Sequence, residues 1–149
     1  MLALAIYFER RSTCGRDHKT ERWHGLARAF AVDHVYVIDH VHLSCFEPKF
    51  ESFDVVESLS DIDFDGKWIF VSRVSPPNRE LISLSDFHHP EGDVLYIIGG
   101  DAIGIRDINS GKETSQEGLW LKIPTKSDYE LWAEQAGAIV LADRYMKCR

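Results

Sequence analysis

The chain has 149 residues, of which 44% are hydrophobic and 28% charged, ordinary globular usage that suits one compact domain over 1–149 and excludes disordered and fibrous classes. No apolar run approaches the roughly 18 residues a membrane span needs, and the opening MLALAIYFERR is too short and wrongly flanked for a signal peptide. Cys14, Cys45 and Cys148 form an odd set without CxxC spacing, so reduced thiols in a cytoplasmic protein are expected, with neither a disulfide framework nor a zinc ribbon. Acids outnumber bases 24 to 17, and the net charge of −7 opposes indiscriminate binding to nucleic acid, leaving a local basic patch as the only route to it.

LALAIYF (2–8) is a nearly continuous apolar run, which fits a strand buried on both faces. From 17 to 31, Trp23, Leu26, Ala27 and Phe30 recur at offsets of three and four, predicting a first helix with Asp17 as its N-cap. HVYVIDH (34–40) alternates and is β-branched, a second strand that completes a β-α-β unit. Residues 51–66 carry six acids among Phe, Val, Leu and Ile and read as a solvated helix face with its following loop. KWIFVSRV (67–74) is a third strand, ended by Pro76-Pro77, and Leu81, Leu84 and Phe87 mark a short helical turn. DVLYIIGG (93–100) is the strongest strand, closed by two glycines as in the centre of a parallel sheet. GLWLKIP (118–124) is a fifth strand stopped by Pro124. A closing helix spans 127–147, capped by Ser127 or Asp128, with Leu131, Ala136, Ile139 and Val140 along one face. Alternating strands and helices predict an α/β domain with a largely parallel sheet, whose ligands lie beyond the carboxyl ends of the strands.

Three groups of residues bear on chemistry. The turn Gly99-Gly100-Asp101-Ala102-Ile103-Gly104-Ile105 follows the best strand, and its glycines admit close approach of backbone N–H groups to a ligand. It is neither a Walker loop nor the dinucleotide fingerprint, and a tight turn explains it equally well. Residues 10–28 form the one clearly basic window, with Arg10, Arg11, Arg16, Lys19, Arg22 and Arg28, suited either to phosphate or to a polar helix face with internal ion pairs. His40 and His42 share a strand face and His88 and His89 are adjacent, but no matched third ligand stands at recognisable spacing, so no metal site is expected. Asp39, at a strand end, is a base or a turn cap. The nucleophile elbow G-x-S-x-G is absent.

The order of these motifs resembles the SpoU branch of the SPOUT RNA methyltransferases. GGDAIGI (99–105) is similar to that family's G-x-E-G-x-G-L, with Asp101 at the usual Glu; Ile123-Pro124 matches its I-P turn, and AGAIVL (136–141) its small-residue closing helix. The stretch 15–39, with Arg16-Asp17, His24 and Ala27-Arg28-Ala29-Phe30, looks most like archaeal tRNA ribose methyltransferases that modify a T-loop cytidine. The family's N-x-G-x-x-x-R is absent, and its Ser-Leu-Asn reads Glu130-Leu131-Trp132.

The resemblance implies a C-terminal trefoil knot and a homodimer. It also implies S-adenosylmethionine held by Gly99, Gly100, Asp101, Ile103, Gly104, Leu121, Ile123, Pro124 and Leu131, with its methyl group facing the ribose 2′-hydroxyl of an RNA, tRNA foremost. Arg16 and Arg22 are the implied catalytic residues, as the base or its phosphate-binding helper. The alternatives are methylation of a base nitrogen with Asp39 near the methyl group, a knotted protein that binds cofactor and RNA without chemistry, and an unknotted flavodoxin-like nucleotide binder.

Overall fold

The computed structural model describes residues 1–7, 19–39, 51–99, 105, 117–127 and 131–148. Seven strands form one sheet: β1 (Leu2–Tyr7), β2 (His34–Ile38), β3 (Phe53–Val56), β4 (Lys67–Val71), β5 (Leu81–Ser83), β6 (Val94–Ile98) and β7 (Leu119–Lys122). Their spatial order is β3-β2-β1-β6-β4-β7-β5, and every pairing is parallel. The α/β class with a parallel sheet is therefore as expected. β6 lies between β1 and β4 and is buried along its whole length, which is why its sequence runs apolar without alternation.

Successive side chains point to opposite faces, so each strand serves two cores. One gathers Leu4, Ile6, Val35, Val37, Ile69, Tyr96, Ile98 and Leu121 beneath two helices, α1 (Lys19–Ala29) and α2 (Ala133–Lys147). Trp23 and Ala27 supply the buried face of α1; Gly137, Val140 and Leu141 supply that of α2. Gly137 is required by the approach of the helices, because a Cβ there would stand 2.9 Å from Trp23 Cζ3 and 3.1 Å from Ile98 Cδ1. The second core joins Ala3, Ala5, Ile38, Leu95 and Ile97 to Trp68, Phe70 and Trp120, with Phe70 and Trp120 stacked at 4.6 Å. Ile105, buried at 1% exposure, also packs there.

The turn after α1 is closed by two backbone bonds, Val32 N–H to Ala27 O (2.8 Å) and Ala31 N–H to Arg28 O (3.3 Å), the pattern of a Schellman cap. Ala31 accordingly adopts a left-handed φ of 51°, a conformation that favours glycine.

Two expectations are corrected. Residues 51–66 are not helical: Phe53–Val56 is an edge strand and Leu59–Asp61 a single 3₁₀ turn, whose Leu59 buries together with Ile62. The β-branched pair Val55-Val56 and backbone pairing to β2 decide the first part, and an i, i+3 apolar pair decides the second. The closing helix begins at Ala133 and not at Ser127. Gln135 Oε1 accepts the N–H of Trp132 at 2.9 Å and so takes the capping role given to Ser127 or Asp128, whereas Leu131 precedes the helix and Ile139 points outward. The short turn after Pro77 is present as Leu84–Asp86, preceded by β5. Asp17, His40, His42 and the segment 100–104 lie outside the described residues.

Candidate functional site

Because β6 and β7 flank β4, the carboxyl ends of these three strands meet. Ile98 and Leu121 both pair with Val71, forming one row across the sheet. Gly99 follows Ile98 and is half-buried; Leu121 is fully buried, and Ile123 is half-buried against the helix-side core. Ser72 N–H donates to Leu121 O at 2.9 Å, which draws the chain leaving β4 over the end of β7. Leu131, half-buried, leads into α2, and Pro124 is exposed beyond Ile123. Thus Gly99, Leu121, Ile123 and Pro124, set apart in sequence, share one end of the sheet. Gly100, Asp101, Ile103, Gly104 and Arg16 lie outside the described residues.

The first turns of the two helices are tied together at this end. Arg22 Nη1 stands 3.0 Å from Glu134 Oε1; the arginine side chain is 54% exposed and that of the glutamate 15%. The other carboxylate oxygen, Glu134 Oε2, is buried and has no hydrogen-bond partner among the described residues. Asp39 is buried at the end of β2, two strands from β6, a lateral separation of about 10 Å.

Bases also collect at the carboxyl end. Arg73 leaves β4, Lys122 ends β7 and Lys126 follows the Ile123-Pro124 turn, all three exposed. The acids of 51–66 belong to β3 and its flanking segments, at the opposite edge of the sheet from β7. Glu134 and these three bases were not identified from sequence, where 10–28 reads as the basic window; the available signal was the recurrence of Arg and Lys immediately after strands.

His89 belongs to a separate assembly at the amino end of β6. Its imidazole lies 2.5 Å from Tyr96 Oη and 2.8 Å from Asp143 Oδ2, beside a groove of about 880 Å³ lined by Ser85, His88, Arg144 and Lys147. Burial pushes the His89 imidazole below its ordinary pKa, against the opposing pull of Asp143, and pushes Tyr96 up to about 12. Among the described residues, no group of three or more His, Cys, Asp or Glu side chains is arranged to hold a metal, and no helix is long and apolar enough to cross a membrane.

No family profile and no curated protein matches the chain in sequence. Solved structures do match. A probable methylase family protein from Haemophilus influenzae Rd KW20 superposes with a TM-score of 0.67 at 15% identity, covering 98% of this chain and 65% of its own. The SpoU methyltransferase AviRb from Streptomyces viridochromogenes, in complex with the cofactor AdoMet, gives 0.64 at 15%, covering 99% and 57%. A structure concerned with the 2-OH methylation of C/U34 on tRNA gives 0.62 at 15%, covering 99% and 90%. The chain thus spans less than two thirds of the length of the first two proteins. At these identities the likeness is one of fold.

Proposed function

We infer that this protein is an S-adenosylmethionine-dependent RNA methyltransferase acting on a ribose 2′-hydroxyl, with tRNA as its substrate. The observation that carries the reading is the convergence of Gly99, Leu121 and Ile123 on the adjoining ends of β6, β4 and β7, in a fold shared with AviRb in its AdoMet complex. Of the motifs that resemble the SpoU family, Gly99 and Ile123-Pro124 stand at these strand ends, and the neighbour concerned with 2-OH methylation on tRNA supports the acceptor.

The residues present suit the cofactor. Ile123 and Leu131, both half-buried, offer apolar surface for an adenine, Gly99 offers backbone at close range, and Glu134 offers an oxygen without a donor among the described residues. When bound, S-adenosylmethionine supplies an electrophilic methyl group on a sulfonium. The chain's part is to exclude water from that end with its apolar wall, to orient the ribose, and to relieve the 2′-hydroxyl of its proton. Arg16 and Arg22 carry the last role, one as proton acceptor and the other as a cation on the adjoining phosphate. The basic edge of Arg73, Lys122 and Lys126 receives the RNA backbone.

A homodimer is the working unit. Trp132, just before α2, and Ile139 and Met146 within it recur at intervals of seven and are 58%, 38% and 60% exposed, an apolar seam outside the monomer's core that suits a second copy. The cytoplasm, where tRNA is modified, is the expected location.

The test is calorimetric titration with S-adenosylmethionine and S-adenosylhomocysteine, with ATP and NAD as controls, followed by transfer of labelled methyl to tRNA. Nuclease digestion then separates ribose methylation from base methylation. Selective binding with label in nuclease-resistant dinucleotides is expected; no binding to either ligand, with or without RNA, sinks the reading.

A further inference from the structure

Glu134 carries an imbalance that the described residues do not resolve. Oε1 is paired with Arg22, whereas Oε2 is buried with no donor among the described residues. A carboxylate oxygen removed from water and left without a hydrogen-bond partner is costly, and the ion pair on Oε1 does not relieve it. The Trp132 N–H, at the start of the same helix, already donates to Gln135. A donor from outside the chain would restore the balance, and Glu134 stands just after Leu131, at the end of the sheet where the cofactor reading seats its ligand.

We propose that Glu134 Oε2 receives the α-ammonium group of the amino-acid end of S-adenosylmethionine. This rests on the cofactor reading above and assigns that site a residue which its motifs do not include. An ammonium brings both a hydrogen and a positive charge to a carboxylate, whereas the ribose hydroxyls and the adenine amine bring only hydrogens; charge-assisted bonds are the stronger kind. Glu134 is a binding residue in this scheme and exchanges no proton.

Two ligands that differ in their amino-acid end test it. S-adenosylhomocysteine carries the ammonium, and 5′-methylthioadenosine lacks the whole amino-acid moiety while keeping the adenine, ribose and sulfur. Calorimetry on wild type and Glu134→Gln, with melting curves to verify folding, is expected to show loss of S-adenosylhomocysteine affinity of about tenfold or more. Methylthioadenosine affinity is expected to stay within about twofold, because its contacts do not include Glu134. Equal losses for both ligands would make Glu134 a brace for Arg22 and α2 and overturn the proposal, as would no loss for either. Failure of wild type to bind either ligand would instead overturn the cofactor reading itself, and the proposal with it.

Discussion

His89 and Asp143, held 2.8 Å apart, are the middle of a continuous polar chain that fastens α2 to the segment before β6. Arg144 Nη1 donates to Tyr96 Oη (3.4 Å) and to Pro90 O (2.8 Å); the Tyr96 hydroxyl donates to His89 Nδ1; His89 Nε2–H donates to Asp143. Lys147 Nζ completes it, 2.9 Å from Asp143 Oδ2 and 2.7 Å from Leu84 O. The neutral imidazole, with its proton on Nε2, satisfies both neighbours at once.

Acid is expected to loosen this fastening in two stages. Burial lowers the His89 pKa in the fold, so the unfolded chain takes up that proton first. Its contribution to stability is complete above about pH 6.5 and is lost as the pH falls toward the native value. For Asp143, burial acts upward but is outweighed by Lys147 and His89, and its pKa is lowered. That contribution holds above about pH 3.8 and is lost below. Urea midpoints taken from pH 8 to pH 3 should fall in both ranges, and His89→Gln should flatten the upper one; an unchanged upper slope in the variant would rule His89 out as its source.

At Gly137 the indole of Trp23 leaves no room for a side chain. Gly137→Val should destabilise by about 1–3 kcal/mol through overpacking. Adding Trp23→Leu should recover part of that loss, a coupling that a double-mutant cycle in denaturant reads directly.

Ala31 sits at positive φ where glycine is at ease. Ala31→Gly should therefore stabilise the protein by about 0.5–1 kcal/mol, despite the greater freedom glycine gives the unfolded chain. A lower denaturation midpoint would contradict the cap geometry.

If Arg73, Lys122 and Lys126 receive RNA phosphates, replacing each with alanine should weaken tRNA binding across sequences. Each should also reduce the slope of log affinity against log salt by about one. Binding of S-adenosylhomocysteine should be unaffected. An unchanged slope in the triple variant would assign the RNA to another surface.

Ile139, exposed on α2, is expected at the dimer contact. Ile139→Glu should shift the protein toward monomer in sedimentation equilibrium while leaving its melting profile two-state, since the residue lies outside the core. A dimer of undiminished strength would remove the seam from consideration.

The elements that sequence conveys best are those whose environment is uniform. β1 and β6 are buried on both sides, and their apolar runs state as much; Trp23 and Ala27 repeat at the helical interval because a single face of α1 is covered. Phe53–Val56 is harder to read because it is an edge strand, with Asp54 and Val55 exposed, and its acids resemble a helix surface. The start of α2 was displaced because Ser127 has the chemistry of a cap, whereas Gln135, acting backward from inside the helix, leaves no comparable mark. The candidate site follows the same division. Gly99 and Ile123-Pro124 declare themselves as strand ends. That Glu134 faces Arg22, or that Arg73 and Lys122 leave the same end of the sheet, depends on strand order, and nothing local to any of those residues encodes it.

The position of β4 between β6 and β7 has a kinetic consequence. The ends of β6, β4 and β7 adjoin only once three segments remote in the chain have docked side by side, and parallel pairings at such separations form slowly because loop closure precedes any gain from contact. That juxtaposition is thus expected among the last features to be completed during folding. If the proposed cofactor binds there, in refolding experiments the recovery of ligand affinity should lag the recovery of helical signal, and excess ligand should slow unfolding without accelerating the early collapse.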